Sequence, residues 1–68
     1  MPTQGDVIAL ARPIVTERGN TINRNHEGVV MEVFDRLGEK AYRVRFMLAS
    51  AGHTTVDVVC FPRDFQDA

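Results

Sequence analysis

Ala41-Tyr42-Arg43-Val44-Arg45-Phe46 is the stretch that decides the fold. Tyr42, Val44 and Phe46 alternate with Arg43 and Arg45, a period of two that marks a half-buried strand with one apolar and one cationic face. Upstream stands Gly28-Val29-Val30-Met31-Glu32-Val33-Phe34, and downstream Thr54-Thr55-Val56-Asp57-Val58-Val59-Cys60-Phe61. Both are rich in β-branched residues, which suit a pleated surface. Three such strands within 68 residues predict a small all-β domain whose twisted sheet closes on itself or packs on a partner.

Working outward, Asp6–Ala11 reads as a first strand, opened by Gly5 and ended by Pro13. Residues 14–25 read as a long loop. Gly19, Asn20, Asn23 and Asn25 tolerate positive φ there, and Ile14, Val15 and Ile22 are anchors that fold it back over the sheet. A loop of this length in a compact domain marks a functional or mobile segment. Glu27–Phe34 is the second strand. Asp35–Lys40 is a hairpin connection in which Gly38 takes a left-handed conformation. Ala41–Leu48 is the third strand, Ala49–His53 a turn pivoting on Gly52, and Thr54–Phe61 the fourth strand. Residues 62–65 form a tight turn that tucks Phe65 under the sheet. Alternation assigns the core to Val7, Val30, Val33, Tyr42, Val44, Phe46, Val56 and Val58. Gly19, Gly28, Gly38 and Gly52, one per connection, read as turn punctuation rather than a phosphate cradle.

A chain this short is one domain, residues 1–68, with a marginal core. Cys60 is the single cysteine, so no internal disulfide forms. One thiol and no secretion signal at the start predict a reducing cytoplasm. No apolar run approaches membrane length. A net charge of −1 and a hydrophobic fraction of 44% describe a folded protein rather than a disordered tail or a basic nucleic-acid coat.

His26, His53 and Cys60 lack metal-ligand spacing and read as a loop histidine, a turn histidine and a core thiol. No catalytic group, metal or cofactor is expected. Arg43 and Arg45 share a face, with Glu32 on the neighbouring strand beside them, which predicts cross-strand ion pairs on a solvated surface. The functional reading of that face adds Arg36 and Arg24, and makes Arg24, Arg43 and Arg45 candidate partner-binding residues for phosphate or an acidic protein.

The outer strands carry more hydrophobes than one barrel buries. With Val7 and Ala9 turned inward, Ile8 and Leu10 turn outward. With Val56, Val58 and Cys60 inward, Val59 and Phe61 turn outward beside Asp57. Ile8, Leu10, Val59 and Phe61 are therefore the expected interface between copies of the chain.

Strand, long loop, three-stranded meander and a proline-containing helical turn follow in the order of the SH3-like small β-barrels. The carriers are Gly5-Asp6-Val7, Gly28-Val29-Val30, Tyr42-Arg43-Val44-Arg45-Phe46 and Phe61-Pro62-Arg63-Asp64-Phe65. The chain resembles that superfamily over nearly its whole length. The resemblance implies four to five antiparallel strands. It departs after the helical turn, where few residues remain for a fifth strand. The expected function is a non-catalytic protein-binding or accessory module that self-associates. Nucleic-acid binding through Arg12, Arg18, Arg24, Arg43 and Arg45 is the alternative, as in SH3-like ribosomal and transcriptional modules. A third reading is an enzyme with its site at an oligomer centre. The chain distantly resembles the type II dihydrofolate reductases, which are SH3-like tetramers of similar length. Their pore-lining Val-Gln-Ile-Tyr is matched by Val56-Asp57-Val58-Val59, so Asp57 replaces glutamine and Val59 replaces tyrosine. An acidic Asp57 repels cofactor phosphates.

Overall fold

The computed structural model describes residues 2–48 and 54–66. The expected turn at Ala49–His53, with Gly52 and His53, lies outside the described residues. The described chain is all-β apart from one short 3-10 turn. The strands are β1 (Val7–Ala9), β2 (Ile14–Val15), β3 (Thr21–Ile22), β4 (Glu27–Arg36), β5 (Glu39–Leu48) and β6 (Thr54–Cys60), followed by the 3-10 turn Pro62–Asp64. Four strands form an antiparallel sheet in the order β1-β4-β5-β6, and β2 pairs with β3 in a separate two-stranded hairpin.

The long β4–β5 hairpin dominates the molecule. Its strands reach further than the alternation indicates, because Asp35↔Lys40 and Arg36↔Glu39 continue the pairing to a two-residue turn. Leu37 (φ 53°) and Gly38 (φ 79°) both occupy the left-handed region. A turn with positive φ at both central residues matches the twist of the flanking strands.

Between Val30 and Glu32 the β4–β5 register shifts, so Met31 is an extra residue in β4. This bulge explains how Val30 and Val33, three residues apart, both face the core. Val30 lies opposite Val44, and Val33 opposite Tyr42. A regular strand would have turned one of them outward.

The core is Leu10, Ile22, Val30, Tyr42, Val44, Phe46, Leu48, Cys60 and Phe65, with Ile8, Ile14, Val33, Val56 and Val58 packed against it. Seven of the eight expected core residues are there; Val7 is not, being 61% exposed. The facing of β1 is the reverse of the expectation. Ile8 lies opposite Gly28 and packs inward, whereas Val7 lies opposite exposed Val29. Leu10 is fully buried and cannot serve as an interface residue. The physical reason is the register with β4, which sets Ile8 beside Gly28 on the inner side of the sheet and Val7 beside Val29 on the outer side. A Cβ at Gly28 would stand 2.7 Å from the Phe46 ring and from Val44 Cγ1. Gly28 is thus a close-packing position within β4 rather than turn punctuation.

Residues 14–25 are not structureless. Thr16 N–H donates to the Asn20 carbonyl at 2.8 Å, closing the β2–β3 hairpin, and Gly19 takes φ 83° in its turn. Ile14 and Ile22 anchor this arm to the core as expected, but Val15 is 69% exposed.

The C-terminal segment returns to the first strand. Leu10 and Phe65 form an antiparallel bridge, with Ala11 N–H donating to the Asp64 carbonyl (2.8 Å) and Gln66 N–H to the Ala9 carbonyl (2.9 Å). Asp64 fastens this return. It accepts from the Phe61 backbone N–H at 2.8 Å and from Arg12 Nε and Nη2 at 3.1 and 2.9 Å. The described strands do not close into a continuous hydrogen-bonded barrel.

Candidate binding surface

The register assembles the outer face of the sheet from side chains that alternate with the core. One row crosses all four strands as Val7, Val29, Arg45 and Asp57. The next holds Glu32, Arg43 and Val59, and Met47 stands opposite Thr55. Val7, Val29, Met47 and Val59 are four of the six large hydrophobics exposed among the described residues.

The charged centre of this face is internally satisfied. Arg45 donates from Nε to Asp57 Oδ1 at 2.8 Å and from Nη2 to Asp57 Oδ2 at 3.1 Å. Arg43 reaches Asp57 Oδ2 at 2.8 Å and Glu32 Oε1 at 3.2 Å. Hydrogen bonds from Arg45 hold the Asp57 carboxyl below its ordinary range; burial opposes this, and the hydrogen bond from Arg43 adds to the lowering. Their bonds to Asp57 in turn hold both guanidiniums above the usual arginine value. Two cations and two anions sum to zero, so the network offers no excess positive charge to a phosphate.

The expected site residues therefore separate. Arg43 and Arg45 sit together at the centre of the outer face, their expected ion pairs present and Asp57 the stronger partner. Arg24 is exposed elsewhere and forms no ion pair with a described residue. Val59, 39% exposed, lies on the outer face as expected. Phe61 is half-buried just beyond β6, its ring covered by the Arg63 guanidinium at 4.8 Å. Ile8 and Leu10 belong to the core. Val7, Val29 and Met47 replace them on the exposed side. The pairing of Val7 with Val29 reveals this, whereas single-strand alternation does not.

Two grooves flank the sheet. One, about 570 Å³, runs beside β1 and is lined by Asp6, Ile8, Glu27, Pro62 and Phe65, with Tyr42 at its floor. The Tyr42 hydroxyl is buried and is the one such side-chain polar atom without a hydrogen-bond partner among the described residues. The other, about 630 Å³, runs along β6 between that strand and the β2–β3 arm.

The remaining titratable candidates are structural. His26 Nε2 lies 2.9 Å from the Met47 carbonyl, and its ring packs edge-on against Phe46. This contact ties the start of β4 to the end of β5. The Cys60 thiol is fully buried, and burial pushes it up to about 12, with the Asp64 charge adding to the shift. Such a thiol is a poor nucleophile at neutral pH. Among the described residues no three His, Cys, Asp or Glu side chains gather in a metal-binding group. No described helix is long and apolar enough to cross a membrane. No known protein family, curated protein or solved structure matches the chain.

Proposed function

We propose that this protein is a non-catalytic protein-binding module of SH3-like architecture that self-associates through its outer sheet face and works in the cytoplasm. The observation that carries the reading is that face itself. Val7, Val29, Met47 and Val59 frame a neutral network of Arg43, Arg45, Asp57 and Glu32. An apolar frame around prepaired arginines suits a protein interface, where arginine is enriched and unpaired charge is costly.

The SH3-like part rests on order and on the return of the chain. A first strand precedes a long arm, then the β4-β5-β6 meander and a 3-10 turn. The Leu10–Phe65 bridge after that turn supports the reading, because it pairs the end of the chain with the first strand as a short fifth strand would. Nucleic-acid binding is less well supported. Five of the eight lysines and arginines (Arg12, Lys40, Arg43, Arg45 and Arg63) are held in ion pairs. Arg18, Arg24 and Arg36 remain, too few for the steep salt dependence of phosphate binding.

The test is a pair of variants. Val29→Asp and Val59→Asp place carboxylates in the frame and should each shift the protein to monomer, while Leu37→Asp, at the exposed hairpin turn, should not. Size-exclusion chromatography with light scattering reads the result. Equal mass for all three variants and wild type would sink the assignment of this face.

A further inference from the structure

We propose that the groove along β6 takes an extended, acidic segment of a partner protein as an added strand. This deepens the protein-binding reading above and rests on it.

The argument begins with hydrogen-bond parity. Leu10 N–H donates to the His26 carbonyl, and Val30 N–H to the Asp6 carbonyl. In an antiparallel ladder, successive residues bond to opposite sides. Gly28 and Val30 therefore direct their backbone groups at β1, and Val29 directs its own at Arg45. On β5 this leaves Val44 and Phe46 facing Val58 and Val56. Thr55, Asp57 and Val59 must then point their N–H and C=O groups away from the sheet. The strand order ends at β6, and none of these backbone groups bonds to another described residue.

Across the other sheet edge the same kind of groups are used. Ala9 and Ala11 receive Gln66 and Asp64 there. Among the described residues the β6 edge has no such cover, and an open edge of this length is a template for pairing. Its groove is lined by six consecutive residues, Thr54 through Val59, on one side and by Val15 through Arg18 on the other. Consecutive lining residues identify a strand edge, since a sheet face would contribute every second residue.

The side chains decide the occupant. Half-buried Val56 and Val58 and exposed Val15 supply apolar contacts for alternate residues of an incoming strand. Arg18 and Arg36 line the groove, and neither forms an ion pair with a described residue. Of the two carboxylates there, Asp57 is held by Arg43 and Arg45, leaving Glu17 alone. The excess positive charge favours an acidic strand. A second copy of β6 fits less well. Two-fold pairing centred on Asp57 sets like charges opposite one another.

The test is a titration of the full chain with an acetylated peptide alternating valine and glutamate, and with its valine–lysine counterpart. Amide spectra and hydrogen exchange are recorded residue by residue. The acidic peptide should shift the amides of Thr55, Asp57 and Val59 and slow their exchange at least about tenfold, with Val56 and Val58 little changed. The lysine peptide should not bind. Replacing both Arg18 and Arg36 by glutamate should weaken binding about tenfold without altering thermal unfolding. Three results would overturn the proposal. One is slow exchange at Thr55, Asp57 and Val59 in the free, dilute protein. Another is protection that rises with protein concentration alone, which assigns the edge to a second copy. The third is equal or absent binding of the two peptides. Light scattering on the same samples separates the two readings. An oligomer that ignores the peptide defeats the strand-addition proposal alone, and a monomer that binds it defeats the self-association alone.

Discussion

Along β5, adjacent residues belong to different problems. Tyr42, Val44, Phe46 and Leu48 turn inward and are buried, whereas Arg43, Arg45 and Met47 turn outward and stay accessible. The inner set carries the stability of a domain too small to have a core to spare. The outer set is paired to Asp57 and Glu32 across neighbouring strands and contributes little to stability, because such accessible pairs are worth about 1 kcal/mol or less. A face that is ordered but not needed for folding is free to serve recognition.

That contrast breaks first at Phe46. Phe46→Ala should cost about 3–5 kcal/mol, whereas Arg45→Ala should cost about 1 kcal/mol or less. Urea denaturation of both variants gives the ratio, and comparable losses would mean that the two faces share the load. Gly28→Ala is the next largest. The added Cβ meets Phe46 and Val44 at 2.7 Å, so overpacking should cost about 1–3 kcal/mol. A neutral result would show that β4 sits farther from β5's inner side chains.

Smaller effects sharpen the account. Tyr42→Phe removes a buried hydroxyl that has no partner among the described residues, so it should leave stability unchanged or raise it by about 1 kcal/mol. A clear loss would reveal a bond to that oxygen. Asp57→Asn tests the outer network through pH. The folded-state pKa of Asp57 is lowered, chiefly by Arg45. Its contribution is therefore present above the unfolded aspartate value, about 3.9, and is lost as pH falls through the lower folded value. The variant should be less stable than wild type at neutral pH, and the gap should close in acid. Parallel stability curves down to strong acid would contradict the network.

Strands were legible where side chains alternate in polarity. Tyr42 to Phe46 and Val56 to Cys60 could be assigned to faces because arginine or aspartate marks the outside. Val7-Ile8-Ala9-Leu10 carries no such mark, so its sequence alone does not fix which residues face inward. Only the pairing of Ile8 with Gly28 and of Leu10 with Phe65 decides it. The bulge at Met31 was hidden for a related reason. The expected core holds both Val30 and Val33, which strict alternation cannot turn to one face, and the extra residue that permits it appears only in the register with β5. The β2–β3 arm has strands of two residues, too short for any period to show. The ion pair from Arg43 to Glu32 was visible as neighbouring-strand chemistry. The stronger partner, Asp57, lies on β6, and its alignment with Arg45 is a matter of register. The groove along β6 was invisible, because it depends on which backbone groups remain unpaired.

The central claim is that the outer face associates with a second copy. Sedimentation velocity of the wild-type chain and of Val59→Asp, up to tens of micromolar where weak dimers of about −6 to −8 kcal/mol form, tests it most directly. The account predicts a wild-type sedimentation coefficient that rises with concentration to that of an oligomer, and a Val59→Asp protein that stays folded and monomeric throughout. A wild-type protein that sediments as a monomer over the whole range, indistinguishable from the variant, would contradict it.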